Sequence, residues 1–164
     1  MNATSYRRPG FYQTRCRSSR RPMSSRPRPL VLIVDDFGCI RDLVRIVLRE
    51  RAGINAVGAA TSEEALKLAQ RRSFDAVISD IVRPGMDGLA FLEVFKRAHP
   101  TVPVIITSGI LGEDTTGQAR WLRAFDCLPK PVACHEIIAT VRSALASRKV
   151  CRTVLRSWSP SRWE

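Results

Sequence analysis

Five positions in this chain carry residue types able to do chemistry together: the adjacent acids Asp35 and Asp36, the single acid Asp80, Ser108, and Lys130 between two prolines. Each ends or follows an apolar run. Leu30-Val31-Leu32-Ile33-Val34 stops at Asp35-Asp36, and Ala76-Val77-Ile78-Ser79 stops at Asp80. Val102 to Thr107 closes on Ser108-Gly109, and Phe125 to Leu128 runs into Pro129-Lys130-Pro131. Such runs read as buried strands, and the Pro and Gly after them force sharp loops. Three carboxylates held together repel one another unless a hard cation joins them, and an all-oxygen set suits Mg²⁺. A lysine is the wrong ligand for that metal but right for a phosphoryl oxygen, and a serine hydroxyl can hydrogen-bond the same group. This is the equipment for phosphoryl transfer to an aspartate, where catalysis is mostly positioning and charge neutralisation. Taken singly, the acids could be helix N-caps, the serine turn chemistry and the lysine a solvated loop charge. Their common placement at strand ends separates the two interpretations.

The elements that must position these residues follow from periodicity. From Ile40 the apolar spacing turns helical through Leu43, Val44, Val47 and Leu48, and Gly53 stops that helix. Asn55 to Ala60 is a short second strand. Thr61-Ser62-Glu63-Glu64 is a capping box that opens a helix to about Arg72. A strand from Phe74 to Ser79 leads to Asp80, and a third helix covers about Leu89 to Ala98. After the Val102–Thr107 strand come a weaker helix across roughly Asp114 to Arg123, a short strand, and a last helix ending near residue 146. Five strands alternating with five helices predict a doubly wound five-stranded parallel sheet of flavodoxin-like (βα)5 type. In such a sheet ligands bind at the carboxyl edge, where all five polar residues would lie.

Charge divides the chain differently. Of its 27 basic and 15 acidic residues, eight and none fall within residues 1–29, and five and one within 147–164, which leaves 14 of each between. The formal charge of +12 therefore belongs to the arms. Residues 1–29 are rich in Arg, Ser and Pro and too poor in aliphatics to offset their ordering entropy, which predicts a disordered arm. Its arginines suit nucleic acid or an anionic surface, and an unstructured extension without a ligand is the plainer alternative. Residues 147–164 read as a basic flexible tail. Five cysteines without a Cys-x-x-Cys pair argue against a disulfide framework or zinc site and for a reducing compartment. No apolar run is long enough to span a bilayer, and the expected location is cytoplasmic.

Four ordered stretches carry a resemblance: Ile33-Val34-Asp35-Asp36-Phe37, Ser79-Asp80-Ile81-Val82-Arg83-Pro84-Gly85-Met86-Asp87-Gly88, Pro103-Val104-Ile105-Ile106-Thr107-Ser108-Gly109 and Leu128-Pro129-Lys130-Pro131. Together they resemble the receiver domain of two-component response regulators over about residues 30–146, and the Asp-Asp-Phe opening is similar to that of the single-domain chemotaxis regulator. The resemblance implies Asp80 as phosphoacceptor, with Asp35, Asp36, Asp80 and the backbone carbonyl of Val82 as Mg²⁺ ligands. It further implies Ser108 as switch hydroxyl and Lys130 as the phosphate-contacting lysine, joined to Pro131 by a cis bond. The implied partners are a sensor histidine kinase or phosphotransfer protein and a downstream protein, and the implied catalysis is limited to the chain's own phosphorylation and dephosphorylation. One departure stands out: Cys127 occupies the position where the family usually has Tyr or Phe. A stand-alone receiver is the first expectation, and a basic-arm binder on a phosphate-independent scaffold is the second.

Overall fold

A computed structural model describes residues 28–83, 85–109 and 113–157. The arm up to residue 27, Pro84 and the chain from 158 onward lie outside the described residues. Five strands, β1 (Leu30–Val34), β2 (Asn55–Ala59), β3 (Ala76–Asp80), β4 (Val104–Ser108) and β5 (Asp126–Pro129), form one sheet in the order β2-β1-β3-β4-β5. All pairs are parallel, with Val34 beside Ser79 and Asp80 beside Thr107 in register. The helices are α1 (Gly38–Ala52), α2 (Ser62–Arg71), α3 (Gly88–Ala98), α4 (Glu113–Trp121) and α5 (Cys134–Ser157). The doubly wound (βα)5 architecture is thus as the alternation predicts.

Side chains alternate along each strand, so the sheet feeds two cores. Leu32, Val34, Val77 and Ile106 pack with Phe91, Leu92 and Phe95 of α3 on one face. Val31, Ile33, Ile78 and Ile105 pack with Val44 and Leu48 of α1 and Val141 of α5 on the other. Strands buried on both faces need near-continuous apolar sequence, which is why β1 reads as an unbroken run.

Local signals set the boundaries. Gly53 has φ 66°, and its N–H closes onto Arg49 and Leu48 carbonyls, a left-handed stop that glycine adopts without strain. Thr61 Oγ1 accepts from the Glu64 N–H as the capping box requires, while Glu64 Oε2 accepts from the Ala60 N–H, one residue before the cap, in place of the Thr61 N–H. Asp87 caps α3 through the Ala90 N–H.

Two differences from the sequence reading have physical causes. The stripe of α1 buries Val44, Val47 and Leu48 but leaves Ile40 and Leu43 exposed, because they face an open groove beside Val132 and Ile137 that no other element among the described residues fills. The last helix does not stop near 146: α5 continues to Ser157. The Arg, Lys and Leu of this stretch are good helix formers with no Gly or Pro among them. Arg148 also ties it down by donating to the Phe74 carbonyl and, at 2.9 Å, to Asp75 Oδ1.

Candidate functional site

Parallel strands all end on one edge, and the termini of β1, β3, β4 and β5 bring the five expected residues there. Asp35 and Asp36 follow β1, Asp80 and Ser108 are the last residues of β3 and β4, and Lys130 follows β5. The carboxylates of Asp35, Asp36 and Asp80 approach so that one oxygen of each lies within 4.8 Å of the others. Lys130 Nζ bridges two of them, 3.0 Å from Asp35 Oδ2 and 2.9 Å from Asp80 Oδ2. The Lys130–Pro131 bond is cis. Ser108 is fully buried, and its carbonyl accepts from the Lys130 N–H at 2.7 Å, which joins the serine's strand end to the lysine's loop. Val82 sits two residues beyond Asp80 in the following loop with its side chain 56% exposed.

The electrostatics of this cluster are unbalanced. Asp35 and Asp80 are buried, yet among the described residues Asp80 Oδ1 and Asp36 Oδ1 have no hydrogen-bond partner. Buried carboxylate oxygens are ordinarily satisfied, and leaving them so is unfavourable. An oxygen-seeking divalent cation fits this donor set: three carboxylates, two orphaned oxygens, no nitrogen or sulfur ligand. For Lys130, burial alone would push the ammonium down, but its hydrogen bonds to Asp80 and Asp35 outweigh that and raise its pKa. The lysine is therefore charged throughout the neutral range.

Two participants gave no distinguishing signal in the sequence. Arg41 Nη1 donates to the Asp35 and Asp36 carbonyls at 2.6 and 3.0 Å and so staples the turn after β1. An arginine one turn into a helix is unremarkable in sequence, and only the fold shows it folding back. Arg83, in the loop after Asp80, reads as a solvated charge but is 8% exposed. Its Nη2 donates to Ser62 and Ser79 Oγ, and its guanidinium lies 5.5 Å from the Phe91 ring centroid. Burial lowers the Arg83 pKa against the opposing pull of Asp80, Asp35, Asp36 and Glu63. Its Nε and Nη1 have no partner among the described residues. Replacing a partly satisfied buried charge by an apolar side chain of similar size is often stabilising. Ser62 and Ser79 would keep their acceptors, the Met86 and Asp80 carbonyls. Arg83→Met is accordingly expected to raise unfolding free energy by ~1–2 kcal/mol in urea titration. A loss of stability instead would show that the guanidinium holds the loop together.

Comparisons with known proteins identify the family. The response regulator receiver domain matches residues 31–142, more than half of the chain. The chain belongs to that family. The receiver is 38% identical over 124 residues to the NtrX-like response regulator of Rickettsia bellii, covering 74% of this chain and 26% of that protein. It thus spans about a quarter of the length of the curated relatives it matches. Among solved structures, Vibrio cholerae chemotaxis protein CheY4 superposes with TM-score 0.69 at 28% identity, covering 73% of this chain and all of that one. NtrX from Brucella abortus superposes with TM-score 0.73 at 32% identity, covering 79% and 29% respectively.

Beside the acidic cluster the receiver opens a largely apolar groove of about 490 Å³ between α1 and α5. Ile40, Leu43, Val44, Val132 and Ile137 line it, with Asp35 and Lys130 at its polar end. Phe37, Leu43 and Ile46 of the same flank are more than half exposed. Cys127, at the usual aromatic position, lies on β5 and is half-buried against the α3 side core. Burial, with Asp126 adding to it, pushes its thiol pKa up, so the neutral thiol form prevails at neutral pH.

Proposed function

We propose that this receiver accepts a phosphoryl group on Asp80, with Mg²⁺, from a histidine kinase or phosphotransfer protein, and signals through protein contacts that change on phosphorylation. The observation that carries this reading is the placement of Lys130 between Asp80 and Asp35 inside a cluster with more carboxylates than cations. Asp80 pairs one oxygen with the lysine and leaves the other without a partner, so one oxygen can hold the cation while the other attacks phosphorus as Lys130 moves to the phosphoryl group. In the transfer, a carboxylate oxygen of Asp80 forms a bond to phosphorus as the bond from phosphorus to the donor nitrogen breaks, and the donor imidazole leaves. Asp35, Asp36, Asp80 and the Val82 carbonyl would hold Mg²⁺, which when bound offsets the charge crowding on the phosphoryl oxygens. Lys130 would then exchange its Asp80 contact for a phosphoryl oxygen, and the Ser108 hydroxyl would take another.

A dianion added at this point changes the charge the neighbouring loops must satisfy, which is the local event a switch requires. Ser108 and Lys130 sit at the ends of β4 and β5, so the response would pass to α4, β5 and α5. There Cys127 supplies a smaller, neutral side chain in place of an aromatic. The reading extends to a self-contained regulator that turns over nothing but its own phosphoryl group and works in the cytoplasm. Among the described residues no helix is long and apolar enough to cross a membrane.

The test is Mg²⁺-dependent labelling by a small phosphodonor with Asp80→Asn as comparison. A protein donor gives a second one. Any donor must approach the carboxyl edge, and the flank it meets there is the apolar side of α1. Leu43→Asp, at a position 51% exposed, leaves both cores intact but puts a charge in that contact. It is expected to slow transfer from a phosphorylated histidine phosphotransfer protein at least tenfold, about 1.4 kcal/mol, while acetyl phosphate labelling stays unchanged. Equal slowing with both donors would place the defect in the site itself.

A further inference from the structure

We propose that the amino edge of the sheet, opposite Asp80, is a nucleic-acid-binding face. The helices run antiparallel to the strands, so each ends on that edge. Arg51 closes α1, Arg71 and Arg72 close α2, Arg97 lies in the last turn of α3, Arg123 follows α4, and Arg28 precedes β1; all six are exposed. The acids there are few and engaged. Glu50 lies 3.8 Å from Arg49, Glu93 accepts from Arg97 at 2.6 Å, Asp75 is bound by Arg148 at 2.9 Å, and Asp126 Oδ1 accepts from the Cys127 N–H. The carboxyl edge instead collects six acids, Asp35, Asp36, Glu63, Glu64, Asp80 and Asp87, against the three bases Arg41, Arg83 and Lys130. A segment with 14 charges of each sign is thus polarised end to end.

Basic residues favour helix C-termini on any protein because they complement the helix dipole. That does not account for Arg28, Arg72 and Arg123, which lie outside the helices, nor for the cleft at the centre of the edge. Lys96, Arg123 and Arg148 line a cavity of about 300 Å³ with Phe125 and Ser147, and no acid among the described residues lines it. Lys96 donates to the Pro100 and Val102 carbonyls, which holds that wall of the cleft in place. Arg123 has φ 63°, a left-handed conformation strained for any residue but glycine, and there it presents its side chain beside the cleft. Past the cleft, α5 carries the exposed Lys149.

The chemistry favours nucleic acid over an anionic membrane. Arginine dominates these positions, and its planar fork pairs with phosphate in bidentate fashion. A membrane-binding surface pairs its basic residues with an apolar face. Among the described residues only Val150 is a large apolar side chain exposed at this edge.

The experiment is fluorescence anisotropy of the full chain with a labelled 20-base-pair DNA duplex over a series of KCl concentrations. The variants are Arg71→Gln/Arg72→Gln/Arg97→Gln/Arg123→Gln and, as control, the exposed mid-helix pair Arg45→Gln/Lys67→Gln. The fourfold variant is expected to bind at least tenfold more weakly at 0.1 M KCl, with a log–log salt slope shallower by roughly 3 to 4. The control should leave slope and affinity unchanged. Arg123→Gly separates charge from fold: it should raise the unfolding temperature by relieving the left-handed residue while still weakening DNA binding. Three results would each overturn the proposal: the same affinity and slope in the fourfold variant as in wild type, which assigns binding to the arms alone; no binding by wild type; or tighter association with phosphatidylserine vesicles than with DNA.

Discussion

After incubation with acetyl phosphate and Mg²⁺, wild-type protein is expected to shift on a phosphate-affinity gel and Asp80→Asn to remain unshifted. An amide oxygen is a far weaker nucleophile than a carboxylate, and the substitution also removes one of the three acids that a cation would bridge. The expected loss is at least about a hundredfold in labelling rate, about 2.7 kcal/mol of transition-state stabilisation. The fold should survive it. The neutral amide forfeits the 2.9 Å ion pair with Lys130 but also relieves repulsion from Asp35 and Asp36, and Lys130 keeps Asp35 as a partner at 3.0 Å. Stability within ~1 kcal/mol of wild type is therefore the companion expectation. Omitting Mg²⁺ from the wild-type reaction should suppress the shift as the substitution does. A retained, acid-labile shift in Asp80→Asn would place the phosphoacceptor elsewhere and end the proposed role of Asp80.

The second large effect is structural and belongs to Gly88. A Cβ built there would lie 2.4 Å from the Asp80 carbonyl oxygen and 2.5 Å from Ile81 Cα. Both are backbone atoms of the loop that leaves β3, and neither can move without carrying Asp80 with it. Gly88 is also bound to this loop by its N–H to the Ile81 carbonyl at 2.9 Å. Overpacking usually costs about 1–3 kcal/mol, and a clash with backbone on both sides belongs at the top of that range. Gly88→Ala should thus lower unfolding free energy by ~3 kcal/mol in urea titration. It should also slow acetyl phosphate labelling, because the shift that relieves the clash displaces the nucleophile. Gly117→Ala is the natural control, since a Cβ there meets nothing within 4 Å and the residue is an exposed helical position. It is expected to add ~0.5–1 kcal/mol. If Gly88→Ala unfolds within ~0.5 kcal/mol of wild type, the approach of α3 to β3 is looser than the contact distances indicate.

Much of the receiver was legible before any coordinates. Asp35, Asp36, Asp80, Ser108 and Lys130 could be assigned to one edge because a parallel sheet sends every strand end the same way, and each residue directly follows an apolar run. Apolar periodicity and capping chemistry act over a few residues, so Thr61 and Gly53 marked their helix boundaries without help from the fold. The last helix was the exception. Its continuation to Ser157 follows from helix formers uninterrupted by Gly or Pro, and Arg148 anchors its start to Asp75 by a contact across 73 residues that local pattern cannot contain.

What the sequence by itself determined is the order of elements, the sheet type, and which side chains share its carboxyl edge. These follow from short-range periodicity and from the geometry that any parallel sheet imposes. Tertiary structure alone decided which charges are buried, paired or gathered. Arg41 and Arg83 look like surface arginines until the turn after β1 and the junction of α2 with β3 close over them. A domain with no net charge becomes acidic at one edge and basic at the other only when antiparallel helices bring their ends together. Burial and electrostatic potential depend on distances between residues remote in the chain, and a linear pattern holds no record of those distances.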